Sequence, residues 1–203
     1  MHIRDIRNSF NKNLNDNYFL YIIAILFICV GVILGIYTVK NLTSLENETI
    51  INYLNVILKG IINERPSYSS MFVEALKNNT IFLIGYWILG FTVVGSLIVL
   101  LLNVIKGFII GFTFSFVVAN ISGKGIFLAM LGIVPQNLIY ICCMIMASVM
   151  ALRYSLDILK FKKNTLKTNV INYSLNYIAI FILIFIGASF ETLVTPFIFK
   201  IIM

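Results

Sequence analysis

The stretch GIFLAMLGIVPQNLIYICCMIMASVMAL, residues 125–152, decides the fold class of this chain. Its 28 residues carry no charge, and about 20 apolar residues are enough for one helix to cross the hydrocarbon core of a bilayer. Pro135 lies near its middle, has no backbone N–H, and crowds the carbonyl of Leu131. The sequence therefore predicts a half-helix over 126–133, a break, and a membrane-spanning helix over 135–152 with Pro135 in its first turn.

Gln136 and Asn137 follow the proline directly. We expect both amides to lie beside the open N–H groups of the first turn of the second helix. The alternative is a kinked span whose amides bond to neighbouring helices, since membrane helices tolerate proline when the freed groups find partners.

Composition extends this prediction to the whole chain, which is 60% hydrophobic and 11% charged. Four further charge-free windows suit helices better than barrel strands, because they do not alternate apolar and polar residues. We predict an all-α membrane protein that is a single polytopic domain over 1–203 with five transmembrane helices, at 18–39, 80–102, 104–121, 135–152 and 170–190.

The net charge of +7 is explained by the membrane rather than by nucleic acid. With the N-terminus inside, the cytoplasmic pieces hold nine Lys and Arg residues and the outer pieces hold six. The positive-inside rule therefore favours a cytoplasmic N-terminus and an external C-terminus. The basic loop over 153–167 is also placed to touch anionic lipid headgroups.

The segment 41–79 is the longest stretch outside the predicted spans. Thr43 and Glu46 fit a capping box at the start of a helix. Apolar residues, among them Ile50, Leu54 and Ile57, then recur at helical spacing over 45–63. This external amphipathic helix is expected to lie on the bilayer, to pack on the protein's own spans, or to dock a partner.

A short connection over 103–106, which includes Lys106, is predicted to be a tight cytoplasmic turn between the second and third spans. Gly107 and Gly111 then begin a ridge of small residues at four-residue spacing. Small residues let membrane helices approach closely. Packing within one subunit is favoured over the alternative, a homo-oligomer interface.

Glu191 is placed at the outer edge of the last span. We expect it to pair with Lys124 or to cap backbone groups. A role in an ion pathway is less favoured, because such a pathway usually needs several ionisable groups inside the spans, and the five predicted windows contain none.

No catalytic constellation, cofactor motif or metal-ligand spacing is present in the sequence, which argues against an enzyme. A small membrane transporter or permease subunit is the alternative, because the Pro135 break is similar to the interrupted helices of transporters. The paired break expected in a second half is missing. A non-catalytic membrane scaffold is therefore the leading hypothesis.

Five ordered stretches resemble one known family: FVEALKNN at 72–79, GFTVVG at 90–95, NVIKGFIIGF at 103–112, GIVPQNLIY at 132–140 and FETLVTP at 190–196. They resemble the stage II sporulation protein M family, integral membrane proteins of endospore-forming bacteria. The resemblance covers nearly the whole chain and adds Asn79 to the candidate residues, which also comprise Lys106, Gly107, Gly111, Pro135, Gln136, Asn137 and Glu191.

The resemblance implies a role in forespore engulfment, at the sporulation septum and the engulfing membrane. There the protein would hold two extracytoplasmic peptidoglycan hydrolases, the D and P proteins of stage II sporulation. It would do so as a scaffold without chemistry of its own.

Overall fold

The structure of the chain, a computed structural model, describes residues 3–63, 68–120, 125–159 and 166–202. These residues form seven helices and no strand. The helices are α1 (Ile3–Lys40), α2 (Ser44–Asn63), α3 (Tyr68–Leu89), α4 (Gly95–Asn120), α5 (Gly125–Gly132), α6 (Val134–Leu159) and α7 (Leu166–Ile202).

Four of the described helices are long and apolar enough to cross a membrane. The spanning segments are Asp16–Lys40 in α1, Gly95–Asn120 in α4, Val134–Ile158 in α6 and Val170–Ile198 in α7. The prediction of an all-helical, multi-pass membrane protein is confirmed. The fifth predicted span, at 80–102, is not among these four segments, because the apolar run it was based on is divided between two helices.

That division corrects the predicted boundaries around residue 90. Helix α3 ends at Leu89, residues 90–94 form a turn, and α4 runs from Gly95 to Asn120. The predicted turn at 103–106 is wrong, because these residues lie inside α4. Charge does not mark the real turn, which lies in the middle of the charge-free window.

The turn between α3 and α4 is built from one threonine and two glycines. The Thr92 hydroxyl donates to the Leu89 carbonyl and accepts from the Gly95 N–H, both at 3.0 Å. A Cβ at Gly95 would overlap the Leu89 carbonyl oxygen, and one at Gly90 would overlap the Tyr173 hydroxyl. The Ser155 hydroxyl of α6 donates to the Thr92 carbonyl at 2.9 Å and so ties the turn to the bundle.

Glycines bring α1 and α4 into backbone contact. Added Cβ atoms at Gly31 and Gly107 would overlap the carbonyl oxygens of Val104 and Ile28 respectively, and Gly35 and Gly111 are packed against the opposite helix in the same way. Contacts advance in the same direction along both helices, so α1 and α4 are parallel. The ridge that begins at Gly107 therefore serves packing within one chain, as favoured, and its two glycines are not free for a dimer contact.

Aromatic residues form the core between α3, α6 and α7. The Tyr177 hydroxyl donates to the Ala147 carbonyl at 2.7 Å, and the Tyr173 hydroxyl donates to the Trp87 carbonyl at 3.1 Å. These bonds satisfy tyrosine hydroxyls that would be costly to leave unpaired away from water. With the Phe72–Phe185 ring contact and the Tyr140–Glu191 hydrogen bond further along, the contacts run in opposite order on the paired helices, so α7 is antiparallel to α3 and α6.

The stretch 125–152 is divided at Ile133, between α5 and α6. Helical hydrogen bonds reach this residue from both sides, from the Ile133 N–H to the Ala129 carbonyl at 3.0 Å and from the Asn137 N–H to the Ile133 carbonyl at 3.4 Å. Pro135 lies in the first turn of α6. A change in helix direction at this point stays a prediction.

The last helix is longer than predicted. It was expected to end at residue 190, but α7 continues through Glu191 and Pro196 to Ile202. The predicted half-helix at 126–133 corresponds to α5, shifted by one residue. The turn predicted at 121–124 and residues 160–165 of the basic loop lie outside the described residues. The rest of the predicted loop is helical, because 153–159 belong to α6 and 166–167 to α7.

The glycine contact between α1 and α4 leads to the first prediction. Replacing Gly107 with leucine should lower stability by about 1–3 kcal/mol, because overpacking of a tight contact forces backbones apart. For a chain of this size that corresponds to a loss of roughly 2–10 °C in Tm, measured in detergent by thiol-reactive dye unfolding.

Gly85→Ala is the matched control. A Cβ at Gly85 would meet only the end of the Leu102 side chain, at 3.3 Å, so this variant should retain the parent Tm. Equal Tm values for Gly107→Leu and the parent protein would show that the two helices do not pack through these glycines.

Candidate functional site

Lys106 lies in the middle of α4 and is only 6% exposed. The sequence placed it in a cytoplasmic turn, and that prediction is wrong because α4 is continuous through it. Its Nζ donates to Asn79 Oδ1 at 2.7 Å, and Asn79 is 4% exposed. A lysine in a membrane helix needs such a partner, since water is not present to solvate the ammonium.

Two aromatic rings complete the surroundings of the ammonium. Lys106 Nζ lies 5.1 Å from the ring centroid of Phe82 on α3 and 5.7 Å from that of Tyr140 on α6. Both distances are within cation–π range, where an attraction of about 0.5–2 kcal/mol is typical. Lys106 thus joins α3, α4 and α6 through one charged group.

Glu191 on α7 completes this cluster from the other side of Tyr140. The Tyr140 hydroxyl donates to Glu191 Oε2 at 2.6 Å, and Glu191 and Lys106 are near enough to interact electrostatically. They form no direct pair within 4.0 Å, and the ion pair found in the described residues joins Arg153 and Asp157. The expected partner Lys124 lies outside the described residues.

We call Asn79, Lys106, Tyr140 and Glu191 the polar cluster. One residue comes from each of α3, α4, α6 and α7. Its net charge is zero when Lys106 and Glu191 are both ionised, which limits the cost of placing two charges inside a membrane domain. Lys106 and Glu191 lie just outside the charge-free windows of the sequence, but both fall inside candidate spans of the structure, Gly95–Asn120 and Val170–Ile198.

A second polar contact lies nearer the turn. The Tyr86 hydroxyl donates to Asn103 Oδ1 at 2.8 Å, and both residues are fully buried. Asn103 Nδ2 has no hydrogen-bond partner within the described chain. Sequence reasoning missed this pair because it assigned Asn103 to a turn.

The amides after Pro135 have a role opposite to the predicted one. Gln136 Nε2 donates to the Gly132 carbonyl at 2.6 Å, and Asn137 Nδ2 donates to the Ile133 carbonyl at 2.9 Å. Both amide nitrogens thus donate to carbonyls one turn earlier, at the last residue of α5 and at Ile133. Gln136 is 6% exposed, and its Oε1 is buried without a partner among the described residues.

Helix α2 begins with the predicted capping box. The Thr43 N–H donates to Glu46 Oε2 at 3.0 Å, and the Glu46 N–H donates to the Thr43 hydroxyl at 3.4 Å. The Thr43 N–H, followed by its hydroxyl, holds the pKa of the Glu46 carboxyl below its usual value. Protonation of Glu46 therefore weakens this cap only in acid.

The apolar face of α2 is described in part. Ile50 is half-buried, and α2 contacts α7. Leu54 and Ile57 belong to the helix, but their side chains lie outside the described ones. In the part of the chain that the structure describes, no three His, Cys, Asp or Glu residues are grouped as metal ligands.

One sequence signal would have located the polar cluster. Asn79 lies 11 residues before Gly90, and Lys106 lies 11 residues after Gly95. A turn between the two glycines brings residues at equal distances from it to the same level of a helical hairpin. Tyr140 and Glu191, by contrast, come from helices joined through undescribed residues, and no spacing marks them as partners.

The second prediction concerns the coupling of Lys106 and Glu191. Lys106→Met and Glu191→Gln should each lower stability by about 1–3 kcal/mol, because each leaves buried polar groups without their partner. The double variant should lose less than the sum of the two, since it contains neither charge. Unfolding by SDS titration in mixed micelles measures all three.

Thr113→Val serves as the control, because its hydroxyl is exposed and bonded within its own helix. It should behave as the parent protein. Additive losses of stability in the double variant would mean that Lys106 and Glu191 do not interact energetically.

The comparisons with known proteins agree with this architecture. The family model described as SpoIIM, stage II sporulation protein M, matches residues 24–196. A search of curated proteins and a search of solved structures each gave no match. The matched range begins in α1 and ends at the proline inside α7, so it contains every residue of the polar cluster. Because the match covers well over half of the sequence, the chain belongs to the stage II sporulation protein M family.

Proposed function

We propose that this sporulation membrane protein is a non-catalytic scaffold of the engulfment machinery. In this role it recruits peptidoglycan hydrolases, the D and P proteins of stage II sporulation, and holds them on the external side of the septal membrane. Membership of the family carries the proposal. The four apolar helices support membrane localisation.

The external dock in this proposal is the apolar face of α2. The helix follows the first candidate span, which ends at Lys40, and its capping box fixes where it starts. Its residues 50, 54 and 57 recur at helical spacing and are not needed to cross the bilayer. The end of the bundle that holds Glu191 is the second docking surface.

The proposal requires a particular topology, which is the third prediction. The N-terminus should be cytoplasmic, with α2 and the C-terminus outside, because Lys and Arg are denser in the pieces assigned to the inside. Reporter fusions at Lys163 and Met203 should report opposite sides of the membrane. Reporters on the same side would contradict the predicted topology.

Replacement of Ile50, Leu54 and Ile57 by asparagine is the fourth prediction. The triple variant should insert at the parent level but release the hydrolases from the septum, because it removes the apolar face and leaves the spans intact. Tagged hydrolases are imaged in sporulating cells, and the membrane level of the variant is measured by immunoblot.

The matched control changes the polar face of the same helix, with Asn52, Asn55 and Lys59 replaced by glutamine. It should retain the hydrolases at the septum. Hydrolases that stay in place in the apolar triple variant exclude α2 as the dock. If they stay in place when the gene is deleted, the scaffold proposal is wrong, and the transporter hypothesis, which the buried Lys106 and Glu191 favour, replaces it.

A further inference from the structure

The contact of α6 with α7 contains oxygen atoms that accept no hydrogen bond. Gln136 Oε1 and Thr195 Oγ1 are both buried, and neither has a partner among the described residues. Buried polar atoms in native structures nearly always have a partner, either protein or a bound species. These two atoms therefore need an explanation beyond the packing of the helices.

The register of the two helices places these oxygens at the same level. The Tyr177–Ala147 and Tyr140–Glu191 hydrogen bonds run in opposite order along α6 and α7, so the helices are antiparallel. Gln136 precedes Tyr140 by four residues, and Thr195 follows Glu191 by four. Both steps lead about one turn, or roughly 5.4 Å, in the same direction from the Tyr140–Glu191 contact and on the same helix faces.

A proline adds a third oxygen at this level. Pro196 lies inside α7 and is buried. It has no N–H to donate to the carbonyl of Thr192, four residues earlier. Thr192 is 5% exposed, and its own hydroxyl is already bonded to the Ala188 carbonyl at 2.8 Å. The Thr192 carbonyl thus lacks its usual helical donor, one turn before Pro196.

Glu191 provides the charge. Its Oε2 accepts from the Tyr140 hydroxyl at 2.6 Å, and a carboxylate has a second oxygen and further lone pairs with which to coordinate an ion. The orientation of Gln136 is also fixed, because the short Nε2 contact with the Gly132 carbonyl requires the amide nitrogen on that side. The amide oxygen consequently points away from α5, and exchanging its two atoms would set oxygen against oxygen.

We propose that Glu191, Gln136, Thr195 and the Thr192 carbonyl form a binding site for a monovalent cation, Na⁺ or K⁺. Oxygen ligands from carboxylate, amide, hydroxyl and helix carbonyl suit a hard cation, and carbonyls freed at helix irregularities coordinate such ions in membrane proteins. Lys106 on the inner side of Glu191 limits the positive charge that the site accepts. With only one carboxylate in the site and the ammonium of Lys106 nearby, a monovalent ion is favoured over Ca²⁺ or Mg²⁺, which bind where several carboxylates converge.

The site lies near one end of both spans. Gln136 is the third residue of Val134–Ile158, and Thr195 is three residues before the end of Val170–Ile198. An ion therefore has a short path from water. In this position the ion would hold the end of α6 against α7. This inference does not depend on the proposed scaffold function.

The experiment uses the full chain in nanodiscs, with NaCl or KCl replaced by N-methyl-D-glucamine chloride at constant ionic strength. One of the two alkali ions should raise Tm in a saturable manner, by about 5–10 °C at a 100-fold excess over Kd. Equilibrium binding of ²²Na⁺ or ⁸⁶Rb⁺ should give one ion per chain. Failure of both ions to bind or to shift Tm would overturn the proposal and leave water as the occupant.

Substitutions at the proposed ligands test where the ion binds. Gln136→Leu and Thr195→Val should weaken ion binding at least tenfold, whereas Thr195→Ser, which keeps the hydroxyl, should bind as the parent does. Ser148→Ala on α6 is the control, because this buried hydroxyl is already bonded to the Ile145 carbonyl at 3.0 Å. If Thr195→Val does not fold, the Thr195→Ser and Gln136→Leu proteins still decide the matter. Parent-like binding in Gln136→Leu would place the ion elsewhere and contradict the assignment.

Discussion

A lysine ammonium inside a membrane helix has to find all its partners in protein, and Lys106 imposes this condition on four helices. Asn79 accepts its hydrogen bond, Phe82 and Tyr140 offer ring faces, and Glu191 balances its charge from beyond Tyr140. These partners belong to three other helices, α3, α6 and α7. Apolar contact gives little drive for association in lipid, so the polar cluster specifies which helices meet and at what level.

The face of α4 that packs against α1 makes a close backbone contact instead of polar contacts. Gly107 and Gly111 let the α1 backbone approach until carbonyl oxygens lie where side chains would be. Lys106 and Gly107 are neighbours in sequence, yet one sets the polar interior and the other the closest helix contact. Helix α4 therefore contacts α1, α3, α5 and α6, and substitutions along it should have unequal effects according to the face they alter.

The sequence predicted the all-helical membrane class of the protein and the capping box at the start of α2. It also predicted a helix boundary near Pro135, where α5 is followed by α6, whereas a break in direction there stays a prediction. It failed at α3 and α4 because a charge was taken as the mark of a membrane boundary. Lys106 is an exception to that rule, because Asn79, 27 residues earlier in the chain, accepts a hydrogen bond from its ammonium. The contact between Tyr140 and Glu191 could not be predicted, because it depends on how α6 packs against α7. The spacing of residues within either helix does not reveal that packing. The amide of Gln136 was placed beside the N–H groups of α6, but its nitrogen is a donor and binds the Gly132 carbonyl of α5 instead.

The hairpin of α3 and α4 also bears on how the protein enters the membrane. The first half of α3 is polar, with Glu74, Lys77 and Asn79, and this helix is not one of the four that are apolar enough to span alone. Helix α4 carries Lys106 at its centre, and that ammonium is satisfied only when Asn79 is beside it. Helix α3 is therefore a poor span by itself, and α4, although apolar enough to cross, contains a charge that Asn79 of α3 satisfies. We therefore expect α3 and α4 to enter the membrane as a pair, with the helical hairpin rather than the single helix as the unit of insertion for this part of the chain.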